Sequence, residues 1–220
     1  LLRWQPADSE MVMPDRFIPV AEETGLIVPI GHWVLEQACR QLACWDAEGC
    51  APIRMAVNVA VPQLRQPDFV DSVRQALQQA GLAPGRLEIE VTESVLLDKD
   101  ERISRTLEGL LALGTKLSLD DFGTGYASLS YLRNFRFDVL KIDRSFVSEL
   151  HRNEADIKLI RAIISIARDL SLQTVAEGVE NQGIGDQLRD FGCDAAQGYH
   201  YAYPMEEAEF LRWLKEHAFR

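Results

Sequence analysis

The sequence predicts an α/β fold and, within that class, a (β/α)8 barrel of the TIM type. Short apolar runs typical of strands alternate along the whole chain with segments of helical periodicity, which favours a parallel sheet covered by helices. Polar side chains stand at the ends of these strands, where barrel proteins carry their chemistry. The alternative is an open, doubly wound sheet. A sheet of that kind that binds a dinucleotide should show G-x-G-x-x-G after its first strand, and this sequence lacks the motif.

The predicted strands are short runs rich in apolar and β-branched residues. They are Leu1 to Trp4, Ile53 to Val59, Leu87 to Val91, Lys116 to Leu119, Val139 to Ile142, Gln173 to Ala176 and Ala195 to Tyr201. These runs are one short of a complete barrel, and the chain begins inside the first of them without a preceding turn or cap. We therefore expect the N-terminal strand of the barrel to be missing from this chain.

The predicted helices lie between these strands and repeat apolar residues at steps of three and four. They are Val28 to Glu48, Pro62 to Ala80, Glu101 to Leu113, Tyr126 to Arg133, Asp156 to Leu170, Gln182 to Asp190 and about Glu206 to Lys215. Gly81, Gly114 and Gly192 stand where the C-caps of three of these helices should fall.

Composition limits the classes of protein to consider. The 220 residues suit one large domain, which we take as residues 1–220, truncated at its N-terminus. A net charge of −11 argues against a duplex nucleic-acid partner. The chain has no apolar run of membrane-spanning length, and its four cysteines lack the spacing of a zinc site. We expect a reduced, cytoplasmic domain, although the parent protein can still be anchored to a membrane.

Oxygen-bearing or cationic side chains close six of the predicted strands. They are Asn58, Glu90 with Glu93, Asp120 with Asp121, Lys141 with Asp143, Glu177 with Glu180, and Gln197. Each has a simpler interpretation as a helix cap or a solvated loop residue, and Asp120 in particular could cap the helix that follows it. Converging oxygen ligands with almost no histidine favour magnesium, manganese or calcium over zinc.

Two kinds of chemistry fit an acidic site that contains a lysine. Hydrolysis of a phosphate ester would use divalent ions to acidify water and Lys141 to stabilise phosphate charge. Alternatively, Lys141 could form a Schiff base with a carbonyl substrate, as in barrel aldolases. Neighbouring carboxylates would keep that lysine protonated, which disfavours the second mechanism.

The residues also resemble a known family, the EAL domains, which linearise the bacterial messenger cyclic di-GMP. The resemblance rests on motifs that span the chain in family order. They are Leu1 to Trp4, Phe17 to Gly25, Val57 to Val59, Glu88 to Glu93, Asp120 to Tyr126, Lys141 to Asp143, Ala176 to Glu180 and Gln197 to Tyr199. The resemblance implies a (β/α)8-like barrel with one antiparallel strand, and hydrolysis of cyclic di-GMP to linear pGpG with two Mg2+ or Mn2+ ions.

The resemblance also assigns roles to particular residues. Those that match the metal-ligand positions of the family are Asn58, Glu90, Asp120 and Asp121, with Asp120 expected to bridge the two ions. Lys141 matches the lysine near the attacking water, and Glu177 matches a general base or a ligand of the second metal. Glu180 and Gln197 match residues that organise the site and its water.

Three further positions match residues around the catalytic centre. Glu93 resembles the glutamate that holds the loop from Asp121 to Ser128, which in this family couples metal binding to dimerisation, so a homodimer is implied. Arg3 and Asp143 match residues that contact the nucleotide. The family also implies an upstream sensor or diguanylate-cyclase domain in the parent protein.

The sequence departs from the family pattern at a few positions. The glutamate of the Glu-Ala-Leu motif would lie two residues before Leu1. Ala60 replaces a usual serine, and Tyr203 replaces a basic residue that often precedes the proline. The first hypothesis is an active cyclic di-GMP phosphodiesterase. The alternative is a non-catalytic cyclic di-GMP receptor that signals through its dimer interface.

Overall fold

The computed structural model describes residues 2–7, 10–50, 52–97, 100–124, 135–148, 150 and 154–217, without the side chains of residues 96 and 97. Its described strands form one sheet, and every pairing in that sheet is parallel. The strands are β1 (Met55–Asn58), β2 (Leu87–Thr92), β3 (Lys116–Phe122), β4 (Val139–Ile142), β5 (Gln173–Ala176) and β6 (Ala195–Ala196).

The strands lie side by side in the order in which they occur in the sequence. A doubly wound sheet reverses its strand order at a switch point, whereas a barrel adds each new strand on the same side. The described sheet shows no reversal, and it curls as the wall of a half-barrel. The predicted α/β barrel class is therefore confirmed. The antiparallel strand implied by the family is not among the described strands and stays a prediction.

Helices cover the sheet and alternate with its strands. They are α1 (Pro14–Glu23), α2 (Ile27–Ala47), α3 (Val61–Leu64), α4 (Phe69–Ala80), α5 (Ser94–Leu97), α6 (Glu101–Leu113), α7 (Arg144–Ser148), α8 (Glu154–Asp169), α9 (Gln182–Phe191) and α10 (Glu207–His217), with a 3-10 turn at Pro84–Arg86. Gly81, Gly114 and Gly192 end α4, α6 and α9 with φ angles of 67°, 98° and 82°, as predicted. A left-handed residue at these positions favours glycine.

The strands are buried because helices lie against the sheet. All residues of β4 and all but the last of β2 are buried, the continuous burial typical of parallel strands. Leu119, Leu140 and Ile142 have 0% exposed surface in the centre of the core. This packing fixes the strand ends relative to one another. Within the described residues, no helix combines the length and hydrophobicity needed to span a membrane.

Several predicted elements need correction. Residues 2–4 of the predicted strand Leu1 to Trp4 do not form a strand and contribute only one antiparallel bridge, between Trp4 and Val12. The predicted helix Pro62 to Ala80 is two helices, α3 and α4, interrupted before Phe69. Pro67 explains the break, since a proline disfavours helical backbone at the residue before it.

Two further differences concern the ends of the chain. The predicted strand Ala195 to Tyr201 stops at Ala196, and the helix α1 was not predicted. Pro14 at its first position was an available signal, but Pro19 inside it interrupts the usual helical composition. The predicted helix Tyr126 to Arg133 lies outside the described residues.

Candidate active site

The centre of the candidate site is the ammonium group of Lys141, near the end of β4. Its Nζ lies 2.8 Å from Glu90 Oε1, 3.1 Å from Asp120 Oδ1 and 2.6 Å from Glu177 Oε1. The Lys141 side chain is only 7% exposed. Three carboxylates from β2, β3 and the residue after β5 therefore share one buried cation.

Parallel register brings these side chains together. Asn58, the last residue of β1, and Glu90, two residues before the end of β2, are register partners. Asn58 Nδ2 donates to Glu90 Oε2 over 2.9 Å. Ile142 and Ala176 are partners on β4 and β5, so Lys141 and Glu177 lie near the same edge. Because the carboxyl ends of parallel strands meet at one edge, residues far apart in sequence form one cluster.

Asp120 and Asp121 lie at an irregularity of β3. Successive side chains of a regular strand point to opposite faces, which would separate these two carboxylates. Here the pairing of β3 with β4 shifts register between Leu119 and Phe122, and Asp121 has a φ angle of 56°. The backbone N–H of Asp121 donates to Asp120 Oδ1 over 3.0 Å. The irregular backbone brings both carboxylates to the same cluster.

The donor atoms of this cluster fit a hard divalent cation. One carboxylate oxygen from each of Asp120, Asp121 and Glu177 lies within 4.8 Å of the other two. Opposite ligands of an octahedral magnesium ion are about 4.2 Å apart, given bonds of about 2.1 Å. A small movement would bring these three oxygens onto one ion, and Glu90 and the amide of Asn58 lie beside them.

Burial and mutual repulsion control the protonation of the site. Burial raises the pKa of Glu90 and of Glu177, although the Lys141 ammonium opposes that change. Burial and the neighbouring Asp120 charge raise the pKa of Asp121. Burial alone would lower the pKa of Lys141, but Glu90, Glu177 and Asp120 outweigh it and raise that pKa. A lysine held in its charged form is a poor amine nucleophile, which argues against the Schiff-base alternative.

Two of the other predicted residues contact the edge of this cluster. Gln197 Nε2 donates to Glu177 Oε1 over 2.7 Å. Glu93 is buried, and its Oε2 accepts from the backbone N–H of Gly123 over 2.9 Å, so it fixes the turn that follows Asp121. Glu180 is exposed, and the carboxylates in contact with Lys141 do not include it.

The two residues predicted to contact nucleotide have local partners. Asp143 Oδ1 accepts from the backbone N–H of Ser145 over 2.9 Å and from the Ser145 hydroxyl. Burial alone would raise the pKa of Asp143, but these hydrogen bonds outweigh the effect of burial and lower that pKa. Ser145, in the first turn of α7, was not predicted as a partner of Asp143, although an aspartate directly before a helix is a recognisable N-cap. Arg3 is exposed and donates to the Leu2 carbonyl over 2.9 Å.

The model of one domain family, described as the EAL domain, matches residues 1–204 of the chain. The chain belongs to the EAL domain family. Its curated relatives include the bifunctional diguanylate cyclase/cyclic di-GMP phosphodiesterase MucR of Pseudomonas aeruginosa, which is 43% identical over 211 residues, 96% of this chain and 31% of MucR. The cyclic di-GMP phosphodiesterase NbdA of the same organism is 42% identical over 219 residues, 100% of this chain and 28% of NbdA.

This EAL domain also has a close structural relative. The solved PaMucR phosphodiesterase, in complex with c-di-GMP, matches with a TM-score of 0.90 at 42% identity, and the match covers 96% of this chain and 85% of that one. The chain spans about a third or less of the length of the two curated relatives. The similarity therefore establishes the family and the fold.

Gly178 of the EAL domain lies between Glu177 and Val179, and a substitution there tests whether close contact with Arg144 holds the backbone next to Glu177. Its φ angle is 71°, and a Cβ there would lie 2.5 Å from Arg144 Cβ. We expect Gly178→Ala to lower the free energy of unfolding by about 1–3 kcal/mol through this overlap, beyond about 1 kcal/mol of backbone strain. Urea denaturation monitored by circular dichroism measures the change.

Gly49→Ala is the matched control for Gly178→Ala. Gly49 has a φ angle of 75°, and its added Cβ would meet nothing within 4 Å. The control therefore carries the backbone strain without the overlap. If both variants lost the same stability, the contact with Arg144 would not constrain the backbone next to Glu177.

Proposed function

We propose that this EAL domain hydrolyses one phosphodiester bond of cyclic di-GMP to give linear pGpG, using two divalent ions, Mg2+ or Mn2+. The observation that carries the proposal is the convergence of Glu90, Asp120 and Glu177 on the buried Lys141 ammonium. Oxygen donors with a buried cation suit metal-dependent chemistry on phosphate. The similarity to phosphodiesterases, one of them solved with c-di-GMP, supports cyclic di-GMP as the substrate.

The residues that would hold the ions are Asn58, Glu90, Asp120, Asp121 and, as a further ligand, Glu177. When bound, the ions supply positive charge to the phosphodiester and lower the pKa of water. The domain needs this charge because its own formal charge is −11, whereas the substrate carries two negative phosphates.

Lys141 and Glu177 contribute different chemistry to the proposed reaction. Lys141 stays protonated beside its carboxylates and can stabilise negative charge on a phosphate oxygen or orient a nucleophilic water. Burial raises the pKa of Glu177, which makes its carboxylate a stronger base and suits it to accept a proton when it does not ligate a metal. The hydrogen bond from Gln197 restricts the rotation of the Glu177 carboxylate.

The decisive experiment is an assay of the purified protein with cyclic di-GMP and Mg2+, with nucleotides separated by chromatography. We expect linear pGpG as the product. A protein that binds cyclic di-GMP under these conditions but forms no product would instead be the non-catalytic receptor. A protein that neither binds nor hydrolyses it would refute both functions.

The affinity for Mg2+ should depend on pH. Glu90, Glu177 and Asp121 have pKa values raised above their ordinary 4.5, 4.5 and 3.8, and their protonated forms compete with the metal. Lowering the pH through these raised values should therefore weaken metal binding, and below them the loss approaches about tenfold per pH unit for each proton displaced. Calorimetric titration from about pH 8 down to the lowest pH at which the protein stays folded measures this slope.

Glu177→Gln is the control for this pH dependence, since the amide removes one titrating group while keeping the size of the side chain. Its Mg2+ affinity should be lower than that of the wild type and should change less steeply with pH. An affinity in the wild type that does not change with pH would contradict metal binding at these carboxylates.

We further propose a homodimer formed through the loop after Asp121, part of which lies outside the described residues. Glu93 anchors the start of this loop at the Gly123 N–H. Glu93→Ala should weaken the dimer and reduce turnover about tenfold, because a buried hydrogen bond to a charged group is worth about 1.5–3 kcal/mol. Sedimentation at several protein concentrations measures the dimer.

Glu93→Gln is the conservative counterpart, because its amide oxygen can still accept from Gly123. It should retain most of the dimer and of the turnover. Equal loss in both variants would show that the glutamate acts through its charge rather than through this hydrogen bond.

We also propose that the parent protein carries an upstream sensor or diguanylate-cyclase domain.

A further inference from the structure

Two tyrosines after β6 form a stacked pair on the surface. The rings of Tyr199 and Tyr203 have centroids 4.5 Å apart and planes inclined by 28°. Both residues are largely exposed, 57% for Tyr199 and 67% for Tyr203. The contact between the two rings limits their rotation, so their free faces are available to a planar ligand with little further loss of side-chain freedom.

The segment that carries this pair is fixed against the backbone beside Glu177. Gln197 N–H donates to the Ala176 carbonyl over 2.8 Å, and Val179 N–H donates to the Gln197 carbonyl over 3.0 Å. His200 N–H then donates to the Val179 carbonyl over 3.0 Å. The segment from Gln197 to His200 therefore lies directly on the segment from Ala176 to Val179.

Gly198 shows how close this approach is. A Cβ on Gly198 would lie 2.2 Å from the Val179 carbonyl oxygen and 2.3 Å from its nitrogen, so the two backbones are in contact. On one side of Gly198, Gln197 hydrogen-bonds Glu177 of the acidic cluster. On the other side, Tyr199 begins the stacked pair. Two residues of chain span at most about 7 Å, so the pair lies at the rim of the candidate active site.

The exposed tyrosine rings at this rim suit the neutral, planar base of a nucleotide. Aromatic rings stack on nucleobases without regard to the identity of the base, because every base presents a π-face. A base carries no formal charge, so the acidic protein does not repel it as it repels phosphate. Tyr203, which replaces a residue that is often basic in this family, supplies stacking area instead of charge.

We propose that Tyr199 and Tyr203 form a stacking platform for one purine base of the dinucleotide whose phosphodiester is held at the Lys141 cluster. The inference rests on the proposed function and adds a subsite to it. The platform contributes to binding and leaves the chemical step unchanged, because it acts on the base and not on the reacting phosphate.

The test compares Tyr203→Ala, Tyr203→Phe and the wild-type protein with cyclic di-GMP and Mg2+. Tyr203→Ala should raise KM about tenfold and change kcat less than about twofold, the range expected from losing one stacked base. Tyr203→Phe keeps the ring and should stay within about twofold of wild type in both constants. Trp33→Ala removes an exposed aromatic residue on α2 and should change neither constant.

Direct binding gives a second readout that does not depend on turnover. The Kd for cyclic di-GMP should rise about tenfold in Tyr203→Ala and stay near wild type in Tyr203→Phe. A wild-type KM and Kd in Tyr203→Ala would overturn the platform while leaving the proposed hydrolysis intact. A wild-type protein that neither binds nor hydrolyses the dinucleotide would overturn both proposals, and one that binds without turnover would still test the platform through Kd.

Discussion

Lys141→Met should abolish measurable turnover of cyclic di-GMP, a loss of at least about 10²–10³-fold. The substitution removes the only cation in contact with Glu90, Asp120 and Glu177 among the described residues. It should also lower the free energy of unfolding of the metal-free protein by about 3–5 kcal/mol, the cost of leaving a buried charge without its partner. Chromatographic product analysis and urea denaturation in EDTA measure the two effects.

The matched control is Lys116→Met at the other end of β3. Lys116 Nζ lies 2.6 Å from Asp138 Oδ1, but the two side chains are 40% and 28% exposed. A solvent-exposed pair of this kind contributes less than about 1 kcal/mol, so this control should keep its stability and its turnover. Turnover at the wild-type rate in Lys141→Met would contradict the catalytic role of the lysine. If Lys141→Met and Lys116→Met lost the same stability, the burial of Lys141 would not explain its contribution to the free energy of unfolding.

Removing divalent ions with EDTA should eliminate product formation, and added Mg2+ or Mn2+ should restore it. Asp120, Asp121 and Glu177 each place one carboxylate oxygen within 4.8 Å of the others. Lys141 offsets their mutual repulsion only in part, and a bound divalent ion should reduce it further. Mg2+ at about 100 times its Kd should stabilise the fold by about 2.7 kcal/mol. Thermal unfolding with and without the ion measures this effect separately from turnover.

Asp121→Asn tests whether this one carboxylate contributes to the stabilisation of the fold by Mg2+. Asparagine tolerates the left-handed backbone of Asp121, where φ is 56°, so the substitution removes charge with little added strain. It should weaken the stabilisation by Mg2+. Asp46→Asn is the control, because Asp46 forms a two-pronged pair with Arg86 on a different part of the surface and should leave the metal response unchanged. Full turnover of the wild type in EDTA would refute metal dependence.

The sequence predicted most of the sheet because its strands are buried. Val139 to Ile142 is apolar except for Lys141, and Leu87 to Val91 alternates apolar residues with Glu88 and Glu90, so their composition identifies both as strands. Prediction failed where local composition and tertiary contact disagree. The segment after Ala196 is rich in aromatic residues like a strand, but the strand ends at Ala196 and the backbone of Gly198 lies against Val179.

The sequence by itself determined the fold class, the family motifs and the set of polar residues at the strand ends. These features depend on local periodicity and on residue type, which can be read without coordinates. Only the tertiary structure decided that Lys141 contacts Glu90, Asp120 and Glu177, that Asp120 and Asp121 reach the same cluster, and that Tyr199 stacks on Tyr203. The physical reason is that these contacts depend on strand register, a backbone irregularity and a close turn, which arise when separate parts of the chain pack together.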